Sequence, residues 1–169
     1  MGMDSMTILD LFEKVNLSPK GPEPWGTEVS ECAAGVYVVA RVGDAKASCE
    51  SGDLPFIDPF PAGIIVDLEY EQQRWLSSEP GLYIGQTTKR TFHKRLKDFY
   101  RHKIGNRSPH AGGQVIKLLR CELWVYWSPI DNPYETEQMM IRAFKKQASQ
   151  PPYANHNGRR NSKRIQRSS

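Results

Sequence analysis

Three short runs of β-branched and aromatic residues most limit what this chain can fold into: GVYVVAR at 35–41, GLYIGQ at 81–86 and CELWVYWS at 121–128. Each is long enough for one strand and is bounded by Gly, Pro or polar residues. Around them, apolar residues recur at helical spacing. Ile8, Leu11, Phe12 and Val15 form a stripe within 5–16, with Ser5 or Thr7 able to cap it, and Phe92, Leu96 and Phe99 form another within 91–102. A short helix runs through Val115, Ile116, Leu118 and Leu119, and a last one opens at Asn132 and Pro133. Strand, strand, helix, helix, strand, helix implies a small α+β sandwich on a three-stranded sheet flanked by helices. At 169 residues the chain suits one core.

Two connections are long. Residues 18–34 hold Pro19, Pro22, Pro24, Gly21 and Gly26 and read as irregular, so 1–34 is an N-terminal helix and its connection. Residues 42–79 are acidic, rich in Pro and Gly, and contain one short apolar run at Gly63 to Val66. They read as an insertion. From about 158 to 169 the chain is polar and basic and is expected to be disordered.

Formal charge is +4, but its distribution carries more meaning than its sum. Residues 1–88 hold 5 basic and 14 acidic residues, whereas 89–107 hold 8 basic residues against Asp98 alone. The tail from 156 adds five more: Arg159, Arg160, Lys163, Arg164 and Arg167. A basic segment on an acidic chain points to a localised anion site, not a uniformly sticky surface. No stretch reaches the roughly 18 to 20 apolar residues that span a bilayer, and no signal-peptide pattern opens the chain. A soluble, cytoplasmic protein with no membrane partner is expected. Cys32, Cys49 and Cys121 are odd in number and widely spaced, which fits free thiols in a reducing compartment.

Two charges fall on the wrong faces of their helices. Arg95 lies between Phe92 and Phe99 on an apolar stripe, with His102 two turns further along the same face. Glu137 shares a stripe with Met140, Ile141 and Phe144. Glu135 has a mundane role as the N3 residue of a capping box opened by Asn132, but Glu137 does not. An ionised group aimed at a core needs an anion, a cation or a partner. Either Arg95 and Glu137 pair as a structural bridge, or Glu137 binds a divalent cation at the edge of a cleft.

Gly35-Val36-Tyr37, Leu82-Tyr83-Ile84-Gly85, a helix with the inward Arg95, a helix reading E-x-x-M-I-x-x-F from Glu137, and a terminal P-x-x-N from Pro152 to Asn155 follow one another in this order. In these elements the chain resembles the GIY-YIG nuclease superfamily over about residues 35–157. The resemblance implies a small antiparallel sheet in a GIY-YIG-like sandwich, and a metal-dependent endonuclease that hydrolyses DNA phosphodiester bonds. By the same resemblance Glu137 is the ligand of Mg²⁺ (or Mn²⁺), Arg95 meets the scissile phosphate, and Tyr37 receives a proton from, or orients, the attacking water. Tyr83 holds that water or the phosphate, and Asn155 supports the site from behind. A tyrosine titrates near 10, so a role as base requires positive charge nearby.

The chain departs from the family at several points. About 45 residues separate Tyr37 from Tyr83, Arg95 follows Tyr83 by twelve, and Phe99 stands where some members carry a histidine, whose place His102 or His110 is then expected to take. Lys89, Arg90, Lys94, Lys97, Arg101 and Lys103 are candidates for tracking DNA phosphates. The alternative function is a nucleic-acid binding module of the same fold that does not cut. One active site cuts one strand, so duplex cleavage at a palindrome favours a homodimer.

Overall fold

The structure, a computed structural model, describes residues 5–41, 54–105, 113–155 and 165–167. Its centre is a four-stranded antiparallel sheet. The strands are β1 (Lys20–Pro24), β2 (Gly35–Arg41), β4 (Gly81–Thr87) and β5 (Leu123–Pro129), in the order β1-β5-β2-β4. The fold is therefore α+β, and the three runs that read as strands form its β5-β2-β4 portion. The three-stranded sheet expected from sequence is corrected by β1, whose residues read as an irregular connection. Two of its five residues are prolines, which cannot donate to a ladder and are confined to an edge strand. Gly21 has a φ of +90°, and a Cβ there would stand 2.7 Å from the Val125 carbonyl oxygen. The break in register between Lys20 and Glu23 follows from this.

Alternation along β2 divides the core into two layers. On one face Tyr37 and Val39 join Phe92, Leu96 and Phe99 of α3 (Phe92–Arg101) and Val125 and Trp127 of β5. On the other, Val36, Val38 and Ala40 meet Leu11 and Phe12 of α1 (Ile8–Glu13) and Met140 and Phe144 of α4 (Pro133–Ala148). With both faces covered, β2 reads as a continuous apolar run without alternation. Thr7, not Ser5, caps α1 and completes a capping box with Asp10.

The capping box expected at the last helix is not formed. The Asn132 side chain accepts nothing from the backbone, and its Nδ2 instead donates to Glu135 Oε2 at 3.3 Å, while the Thr136 hydroxyl donates to the Asn132 carbonyl. The short helix expected near 115–119 is a 3₁₀ turn over Gln114–Leu118.

The insertion has structure of its own. Ile64–Val66 forms β3, within the apolar run noted in the sequence, followed by α2 (Leu68–Arg74) with Asp67 as N-cap. β3 pairs with β6 (Ile165–Arg167), which comes from the basic tail. Ile165 is half-buried and packs against the main core, which a charge-weighted reading of the tail overlooks. Among the described residues no helix is long and apolar enough to cross a membrane.

Candidate active site

The register of β2 against β4 brings the two tyrosines together. Tyr37 stands opposite Gly85 and Val39 opposite Tyr83, so with a side-chain period of two both tyrosines share the α3 face. Their ring centroids are 6.1 Å apart with planes at 55°. Gly85 lets the Tyr37 ring lie directly across β4. A Cβ at that position would stand 2.3 Å from Tyr37 Cζ and 2.5 Å from its hydroxyl oxygen. Tyr83 in turn meets Phe99 edge-on, at 5.8 Å between centroids.

Arg95 enters from above. Thr91 caps α3, its Oγ1 accepting from the Lys94 amide at 3.3 Å, and the Phe92, Leu96 and Phe99 stripe fixes the face that α3 presents to the sheet. Arg95 is carried on that face, half-buried, and its Nε is buried with no hydrogen-bond partner among the described residues. The Tyr37 hydroxyl is likewise buried and unpartnered among them. Glu137 is half-buried on α4, and its Oε1 accepts from Gln138 Nε2 at 3.3 Å.

These four residues share one electrostatic environment. Burial pushes the Tyr37 phenol above its ordinary 10; the charge of the Arg95 guanidinium opposes this, and Glu137 adds to it. Tyr83 is pushed well above 10 by burial first and by Tyr37 next, again against Arg95. Burial raises Glu137 to about 7, opposed by the Gln138 amide and the charge of Arg95. Arg95 and Glu137 therefore feel each other, yet they make no ion pair, so the purely structural bridge is not what the chain builds. Both phenols stay protonated at neutral pH.

Asn155 pins the outer edge of β4. Its Oδ1 accepts from the Ile84 amide and its Nδ2 donates to the Ile84 carbonyl, both at 2.7 Å, and the Ala154 amide donates to the Leu82 carbonyl at 2.9 Å. The strand segment between Tyr83 and Gly85 is held as a neighbouring strand would hold it. His102 caps the C-terminus of α3, buried, with its carbonyl accepting from Lys117 Nζ. None of the interactions that shift Tyr37, Tyr83 or Glu137 involves His102. His110 lies outside the described residues.

Lys89, Arg90, Lys94, Lys97, Arg101 and Lys103 are all exposed. Arg90 is partly neutralised by an ion pair with Asp98. Lys97 and Arg101, with His93 and Tyr100, line a groove of about 280 Å³ between α3 and the 26–29 segment, which contributes the acidic Glu28. One polar residue of interest was not foreseen from sequence: Gln86, whose Oε1 is buried without a donor. A glutamine following a strand glycine gives no periodic signal, so only its surroundings distinguish it.

Among the described residues no group of three or more His, Cys, Asp or Glu gathers to hold a metal. A hard cation such as Mg²⁺ needs only one or two carboxylates and keeps several waters. Glu137, half-buried on α4, is the carboxylate that would meet that requirement. No protein-family model, curated protein or solved structure matches the chain.

Proposed function

We propose that the protein is a metal-dependent endonuclease of GIY-YIG type, hydrolysing DNA phosphodiester bonds in the cytoplasm, with duplex cleavage made by a homodimer. The observation that carries this reading is the pairing of Tyr37 and Tyr83 on one sheet face, 6.1 Å between ring centroids, with the charges of Arg95 and Glu137 bearing on both and making no ion pair with each other. A structural ion pair would have closed that gap.

In this reading the Arg95 guanidinium meets the scissile phosphate and stabilises charge that develops on its oxygens. The Tyr37 hydroxyl, neutral because burial outweighs the pull of Arg95, orients the attacking water. Tyr83 holds the phosphate or that water from the adjacent position on the same sheet face. Glu137 would hold Mg²⁺ or Mn²⁺, which supplies Lewis-acid stabilisation of the leaving oxygen and lowers the pKa of bound water. The exposed basic residues of 89–103 track the flanking phosphates, which makes binding weaken steeply with salt.

The raised phenols also favour a second reading, a binding module of the same fold that does not cut, because neither tyrosine is poised as a base. Incubation with duplex, branched and single-stranded DNA in Mg²⁺ or Mn²⁺ separates the two. Cleavage that falls at least a hundredfold in Arg95→Ala supports the enzyme, while intact substrates with salt-dependent binding support the module.

A further inference from the structure

The cation site proposed at Glu137 has a neighbour on β4. α4 follows β5 after residue 129, so its first turns lie at the end of the sheet where Gly35 pairs with both Pro129 and Thr87. At its far end Phe144 lies against Gly81 at the start of β4, 3.5 Å from where a Cβ would stand. α4 thus runs antiparallel along β4. Glu137 lies two turns before Phe144 on the same side of the helix, about 10 Å along the axis, or roughly three strand residues. Its side chain leans further toward the helix N-terminus. Along the helix axis this puts Glu137 at the level of Ile84 to Gln86.

Alternation decides which of these residues looks toward α4. Ile84 packs with Met140 and Phe144, and Val36, directly opposite Gln86, belongs to the same cluster. Gln86 therefore faces α4 at the level of Glu137. Its Oε1 is buried and accepts no hydrogen bond among the described residues. A buried acceptor without a donor is uncommon in a folded protein and calls for a proton donor or a cation from outside the described residues.

We infer that Gln86 Oε1 is the second protein oxygen, beside the Glu137 carboxylate, that ligates the divalent cation. This rests on the proposed role of Glu137. Amide carbonyls and carboxylates are the hard donors that Mg²⁺ and Mn²⁺ prefer. A neutral second ligand also has an electrostatic consequence: one carboxylate and one carbonyl leave the bound cation with net charge +1, complementary to a phosphodiester anion. A second carboxylate would cancel that attraction.

Mn²⁺ binding to the full chain without DNA, read by the paramagnetic resonance of the free ion, tests the assignment. Gln86→Leu is expected to weaken Mn²⁺ binding roughly tenfold or more, with a metal-free Tm at or above wild type because an unpaired acceptor has been removed. Gln86→Glu, which retains an oxygen donor and adds charge, is expected to tighten it. If both variants bind Mn²⁺ as wild type does while Glu137→Gln loses it, the assignment of Gln86 is overturned and Glu137 stands. If wild type fails to bind, or Glu137→Gln binds unchanged, the reading of Glu137 falls and takes Gln86 with it.

Discussion

Gly85 and Glu137 are the residues on which the site geometry depends most. The Tyr37 ring occupies the volume that any side chain at 85 would need, so Gly85→Ala must displace the ring or the strand. Overpacking of this kind costs about 1–3 kcal/mol, and Gly85→Ala is expected to lower Tm and to remove cleavage together. A variant with wild-type Tm and activity would contradict the geometry. Glu137 yields a pH prediction with a definite sign. Its folded pKa, about 7, lies above the ordinary 4.5. The stability it contributes is therefore complete below about pH 4.5 and is lost as pH rises through about 7. The metal-free protein should show a decline in Tm across that window which Glu137→Gln lacks, and Mn²⁺ affinity should rise over the same range. Parallel Tm curves for the two proteins would show that burial does not raise this carboxyl. Arg95 and Glu137 are visible in the sequence because a charge on an apolar stripe breaks a period. Gln86 breaks none, and the box expected at Asn132 fails because its side chain meets Glu135 rather than the backbone.

Among the elements, β4 is the one on which both tyrosine placement and the Glu137 register depend, and it is an edge strand. The Asn155 amide satisfies both backbone groups of Ile84. Asn155→Ala should cost about 1–3 kcal/mol and speed hydrogen exchange at the Ile84 amide relative to its β2-paired neighbours. Unchanged exchange at Ile84 would remove Asn155 from this role. Strands β2 and β5 are legible because Val, Tyr and Trp dominate them, β4 because Leu82, Tyr83 and Ile84 stand together between two glycines, and α3 and α4 because their stripes repeat every three to four residues. β1 and β6 are not, for different physical reasons. β1 is made of residues with low strand propensity that an edge tolerates, and β6 is a three-residue strand within a basic tail, paired to a strand about a hundred residues earlier. Local pattern cannot announce a partner so distant.

On the scale of the whole molecule, the insertion is tied to the site. The Tyr153 hydroxyl donates to the fully buried Glu71 of α2 at 2.7 Å, and its ring meets Trp75 edge-on at 5.1 Å. Tyr153 lies two residues before Asn155, so the insertion steadies the segment that holds β4. Tyr153→Phe is expected to lower stability by about 1–3 kcal/mol and to raise exchange at Ile84, linking residues far apart in sequence. The uneven charge acts at this scale as well: Lys97→Gln with Arg101→Gln should flatten the salt dependence of DNA binding by about 0.9 in log–log slope for each phosphate no longer neutralised. The central claim, that Tyr37, Tyr83, Arg95 and Glu137 form one phosphodiester-hydrolysing site, is tested most directly by the rate of supercoiled-plasmid nicking in Mg²⁺ by wild type and Glu137→Ala, both shown to be folded by circular dichroism. Nicking by wild type that falls at least a hundredfold in Glu137→Ala is the result expected. No nicking by wild type, or equal rates for the two proteins, would contradict the claim.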